Sequence, residues 1–116
     1  MKSYVIISLD VEGFHFYPHA PDEVAFLASR HRHLFKITVH FSVTDLNREV
    51  EIFIEQWKLS KYIASAFGCP AEFNDRSCEQ IAVSIIAAYQ RGLISSAQVA
   101  SCEVLEDGKG GAVVYA

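Results

Sequence analysis

The chain has 116 residues, 51% of them hydrophobic and 21% charged, with a formal net charge of -4. That length suits one domain with a real core and leaves no room for a second, while burial at this size is only moderately efficient, so docking into an oligomer would add to it. The acidic balance excludes a protein that coats nucleic acid or acidic membranes through bulk charge, although a few local arginines can still build an anion site.

From Tyr4 to Tyr17 apolar and polar residues alternate. Val5, Ile7, Leu9, Val11, Gly13 and His15 share one parity, and Ser8, Asp10 and Glu12 the other, which predicts a half-buried strand. Pro18 and Pro21 end it. Pro21-Asp22-Glu23 has the proline and acids of a helix N-terminus, so a short helix through Leu27 or Ala28 is expected. A second strand begins near His31, with His31, His33, Phe35, Ile37, Val39 and Phe41 on one face and Arg32, Lys36, Thr38, His40 and Ser42 on the other. Thr44-Asp45-Leu46-Asn47 reads as a turn. Glu49 to Glu55 alternates again, predicting a third strand with Val50, Ile52 and Ile54 inward.

Helical periodicity follows. Leu59, Tyr62, Ile63 and Ala66 form one stripe, stopped by Gly68-Cys69-Pro70. Ser77-Cys78-Glu79-Gln80 has the form of a capping box, and Ala82, Ile85, Ile86 and Tyr89 form the buried stripe of a second long helix ending at Gly92. A last hairpin runs from Gln98 to Glu106, turns over Asp107 to Gly111 and returns through Val113 and Tyr115. The order implies an α+β fold with an antiparallel sheet, two long helices packed on one face, and the other face free to line a barrel between subunits. Cys69, Cys78 and Cys102 are odd in number and lack metal-type spacing, and the alternating start is unlike a cleavable leader. A reduced, cytoplasmic setting without disulfides is therefore expected. With no apolar run near ~20 residues, no membrane span is expected either.

Three of the five histidines are well placed. His31 and His33 are two apart on one strand, so both imidazoles point to the same side, and His15 can approach from the neighbouring strand. Three neutral imidazoles with one position open describe a catalytic-type zinc site. The same residues would also serve as hydrogen-bonded groups at a sheet rim.

Val11-Glu12-Gly13-Phe14-His15 followed by Arg30-His31-Arg32-His33-Leu34-Phe35 resembles the F-x-A-A-H and H-G-H of the 6-pyruvoyl- and 6-carboxytetrahydropterin synthases. Three more blocks keep the family's order. Glu49 to Phe53 resembles its strand ending in D-F, Ser77 to Ala82 its P-T-x-E-N start of the second long helix, and Val104-Leu105-Glu106-Asp107 its V-x-E-T. The resemblance implies a four-stranded antiparallel sheet carrying two long helices, in a homo-oligomer such as a hexamer. It also implies zinc on His15, His31 and His33, with Glu106 anchoring the guanidine-like edge of a ring through paired N–H bonds.

Other family features are missing. Leu27 stands where the resemblance places a cysteine that transfers protons, and the stretch from Gly68 to Arg76 has no histidine to match an Asp-His pair. Arg32 replaces the glycine of H-G-H. What remains is a pocket with anion-binding candidates around it: Arg30, Arg32, Arg48 and Arg76, with Phe73 able to stack on a base and Phe14 beside His15 as a further contact. Read singly, each arginine is an ordinary surface charge and Phe73 a loop residue tucked onto the core. Segments including Gly13 to Pro18, Asn47 to Glu51, Ser77 to Glu79 and Glu106 to Gly108 also resemble phage Thoeris anti-defence proteins. That resemblance implies a non-catalytic sponge in the host cytoplasm for cyclic ADP-ribose-type signals or cyclic oligonucleotides. The competing expectation is a divergent zinc-dependent pterin synthase or lyase.

Overall fold

The computed structural model describes all 116 residues. Strand β1 (Ser3–His15) leads through a short 3-10 segment (Asp22–Ala28) to strand β2 (His31–Val43), helix α1 (Ile52–Phe67) and strand β3 (Ala71–Asn74). Helix α2 (Cys78–Gln90), strand β4 (Val99–Glu106) and strand β5 (Gly110–Tyr115) complete the chain. The fold is α+β, with one five-stranded sheet in the order β3-β1-β2-β4-β5.

β1 and β2 pair antiparallel over their whole length, from Ser3 opposite Val43 to His15 opposite His31. The alternation read from the sequence is the alternation of burial. Ile7, Phe35, Ile37, Val39 and Phe41 are buried, and they meet Leu59, Ile63, Ile81, Ile85 and Cys102 in one core. That core lies between the sheet and the two helices. The opposite sheet face leaves Tyr4, Ile6, Leu34, Val113 and Tyr115 exposed. No helix is long and apolar enough to cross a membrane.

The structure corrects three expectations. Residues 49–55 are not a strand, because α1 begins at Ile52 and runs through the region read as alternating. The Glu51 carboxylate accepts the Ile54 N–H at 2.8 Å and caps the helix, while Glu49 closes the preceding turn by accepting from the Thr44 and Asp45 N–H groups. Short apolar runs fit both periods, and the cap decides between them. As a result Ile52 and Ile54 are exposed and Glu55 is buried, where it accepts from the Tyr89 and Ser95 hydroxyls.

The second correction concerns the sheet, which is five-stranded and mixed rather than four-stranded and antiparallel. β3 runs parallel to β1, pairing Gly13 with Ala71 and Phe14 with Glu72. The third is Phe73. It is no loop residue available to a ligand: it is fully buried on β3, with its ring centroid 5.0 Å from those of both Phe35 and Phe67. Gly13 makes this packing possible, since a Cβ there would stand 2.9 Å from the Phe73 ring and 3.1 Å from the Phe35 ring.

Candidate functional site: a three-histidine centre beside a cavity

The end of the β1–β2 ladder builds the centre. His15 is the last residue of β1 and faces His31, the first of β2, while His33 pairs with Gly13 two residue pairs inward. All three side chains lie on the helix-covered face. Their ring centroids are 4.6, 4.9 and 5.3 Å apart, and one donor atom from each lies within 4.8 Å of the other two. The Phe35 ring, 5.1 Å from His15 and 5.6 Å from His33, forms the apolar floor.

Each imidazole is held from behind through Nδ1. His15 Nδ1 lies 3.0 Å from the Arg76 carbonyl and His31 Nδ1 lies 2.8 Å from the Ser29 carbonyl. His33 Nδ1 lies 2.7 Å from Asp107 Oδ2. A carbonyl and an ionised carboxylate only accept, so the proton is assigned to Nδ1 in each ring and the lone pair to Nε2. This is the outer-shell arrangement that orients metal-binding histidines. Asp107 is fitted to its part. The Leu34 N–H first, and then His33, hold its carboxyl below the usual carboxylate range. Burial lowers the His15 pKa, which favours the neutral imidazole a metal requires. His33 Nε2 is buried with no hydrogen-bond partner. The donor set fits a zinc-type ion, being three imidazoles whose orientation is fixed from behind and whose other ring nitrogens face one another's neighbourhood.

Beside the centre lies a cavity of about 660 Å³, lined by His15, His31 and Glu106 together with residues of α2's first turn and of the segment after β1. Glu106 Oε2 is 3.2 Å from His15 Nε2 and 3.5 Å from His33 Nε2. Leu27, from the 3-10 segment, is also on the wall. Arg76 lines the cavity too, with its guanidinium donating to the Phe73 carbonyl at 3.2 Å and lying 5.2 Å from the Phe67 ring. The α2 N-terminus is closed by the full capping box. Ser77 Oγ accepts the Gln80 N–H, and Gln80 Oε1 accepts the Ser77 N–H.

The other residues singled out in the sequence lie elsewhere. Arg32 and Phe14 are directly paired at the end of the ladder, but on the opposite sheet face from the histidines. Arg32 Nε is 3.1 Å from Glu12, and the Arg30 guanidinium stacks 3.6 Å above the Phe14 ring while pairing with Glu72. Arg48 follows the far end of β2, with a left-handed backbone (φ 57°) and its guanidinium on Asn47. Phe73 is core. Strand alternation separates Arg32 from His31 and His33, and a register of 13 residues along β2 separates Arg48 from them.

Several wall residues were not legible as such. Tyr17, His19, Asp75 and Cys78 all line the cavity. Burial, with help from Glu106 and Glu79, pushes the Cys78 thiol up to about 12, so it stays protonated. Only its place beside the capping serine hinted at a position near the site.

No family model and no curated protein matches the chain. Its fold is similar to that in the crystal structure of the uncharacterized protein WS1659 from Wolinella succinogenes, with a TM-score of 0.70. The likeness covers 99% of this chain and 98% of that one at 13% sequence identity.

Proposed function

We propose that this chain is a small-molecule-binding protein on a pterin-synthase-like scaffold, with zinc at the three-histidine centre, and that it holds its ligand without transforming it. The observation that carries this reading is a cavity against the histidines whose wall has Leu27 at the position matching the family's proton-transferring cysteine. The thiol that does reach the wall, Cys78, is held in its unreactive form. At about 660 Å³ the cavity is of the size that encloses a nucleotide- or pterin-sized molecule. Arg76 offers a charge-assisted contact for a phosphate or carboxylate group. The ligand class that the resemblances favour is a cyclic ADP-ribose-type signal, sequestered in the cytoplasm by a homo-oligomer. Its subunits would pack through the sheet face that leaves Tyr4, Ile6, Val113 and Tyr115 open.

The second reading is a divergent lyase acting on a dihydroneopterin triphosphate-like substrate. It is favoured by one observation: His19 and Asp75, an imidazole and a carboxylate from separate segments, both reach the cavity wall. Zinc, when bound, would supply Lewis-acid polarisation of a substrate oxygen.

One experiment separates the two. Purified protein is incubated with cyclic ADP-ribose isomers or with a reduced pterin triphosphate, washed, heat-denatured, and the supernatant analysed by mass spectrometry. Intact cyclic ADP-ribose supports sequestration, and a converted pterin supports the lyase. Retention of neither molecule overturns the ligand assignment.

A further inference from the structure

Glu106 lines the cavity, and its carboxylate also faces two of the imidazoles. Its Oε2 is 3.2 Å from His15 Nε2 and 3.5 Å from His33 Nε2. Tetrahedral zinc with bonds of about 2.0–2.1 Å to nitrogen and oxygen sets neighbouring donor atoms about 3.3 Å apart. The two observed separations bracket that value, and the imidazole donors, within 4.8 Å of one another, have to draw together on the ion. Yet the contact does not satisfy His33, whose Nε2 remains without a hydrogen-bond partner although the oxygen is 3.5 Å away. With Nδ1 of His33 facing Asp107, Nε2 is the ring atom turned toward the Glu106 carboxylate. A nitrogen and a carboxylate oxygen near the edge length of a coordination tetrahedron, with no hydrogen bond between them at His33, are positioned to share a cation.

The strands explain how Glu106 arrives there. It pairs with Phe35 across β2 and β4, on the same face as His33 and two residues further inward along β2. Asp107 follows immediately in the left-handed region (φ 55°), which turns the chain so that its carboxylate reaches His33 Nδ1 and the Leu34 N–H while its own N–H donates to the Leu34 carbonyl. Consecutive carboxylates thus meet the two sides of one imidazole. Asp107 orients the ring from behind, and Glu106 stands in front of it.

We infer that Glu106 is the fourth protein ligand of the metal, completing a His15–His31–His33–Glu106 centre with no position left for substrate. The inference rests on the zinc reading above and deepens it. A four-ligand, all-protein site is structural in type, whereas a catalytic one keeps a position open. The ion would then pin β1, β2 and β4 together at the mouth of the cavity.

The test uses cobalt(II) as a spectroscopic stand-in for zinc, titrated into metal-free protein, with azide as the external ligand. The wild type is expected to bind cobalt stoichiometrically and to keep its visible spectrum unchanged by azide. The isosteric Glu106→Gln variant, with a neutral and weaker donor, should hold cobalt at least 10-fold more weakly and change its spectrum on azide addition. A wild-type spectrum that responds to azide as the variant's does would overturn the closed centre while leaving the metal reading intact. Cobalt and zinc both failing to bind the wild type would overturn both. A crystal structure of the zinc-loaded wild type needs no variant and decides the matter directly. Glu106 oxygen at about 2.0–2.2 Å from zinc is expected, and a water in its place refutes the proposal.

Discussion

Replacing Phe73 with alanine removes a ring that the sequence offers as a stacking platform for a ligand and that the fold places in the core. Phe73 is 0% exposed and makes two ring contacts at 5.0 Å, with Phe35 from β2 and Phe67 from α1. Burial loss and the cavity left behind cost about 3–5 kcal/mol for such a truncation. The paired aromatic contacts, about 0.5–1.5 kcal/mol each, place this site toward the upper end. For a chain of 116 residues, an unfolding entropy of about 2.1 cal/mol/K per residue converts each kcal/mol into about 4 °C, so Tm should fall by about 12–20 °C. That is a large part of the stability of a domain this size, about 5–15 kcal/mol in all. Phe73→Leu, which refills much of the volume, should cost about 1–2 kcal/mol. Urea and thermal unfolding followed by near-UV circular dichroism measure both variants. A loss below about 1 kcal/mol for Phe73→Ala, or weakened ligand retention at unchanged stability, would refute the core assignment.

Two further perturbations probe the polar groups of the interior. Tyr89→Phe removes the hydroxyl that donates to the buried Glu55 carboxylate at 3.1 Å, leaving only the Ser95 hydroxyl at 2.8 Å. Urea unfolding should show a loss of about 1.5–3 kcal/mol, and an unchanged midpoint would mean the carboxylate does not depend on it. Burial lowers the His15 pKa in the fold, whereas the unfolded chain takes up this proton at its ordinary value of about 6.5. The resulting contribution is fully present above that pH in metal-free protein and is lost as pH falls toward the lowered folded value. His15→Asn should flatten this acid slope, and an identical slope in the variant would refute the assignment.

The elements with a strong internal period were legible. β1 and β2 alternate so regularly that their faces, and with them the shared side of His15, His31 and His33, follow from parity alone. The Ser77–Gln80 capping box marks the start of α2 because both of its hydrogen bonds are local. Where the signal was short, it misled. Val50, Ile52 and Ile54 fit a strand as well as a helix, and four residues were too few to announce β3. The placement of the anion candidates was hidden for a different reason. Arg32, Arg48 and Arg76 are alike as sequence, and only Arg76 lines the cavity, because the neighbours of an arginine in space are not its neighbours in the chain.

The sequence by itself determined which residues share a strand face and where α2 is capped, since both depend on contacts within a few residues. Tertiary structure alone decided the chemistry of the centre. It brought the Arg76 carbonyl behind His15 from 61 residues away and Asp107 behind His33 from 74 residues away. It also set Glu106 in front of His15 and His33, through pairing of β4 with β2. A metal site is defined by where lone pairs converge, and convergence across distant segments is a property of the closed sheet that no local pattern encodes.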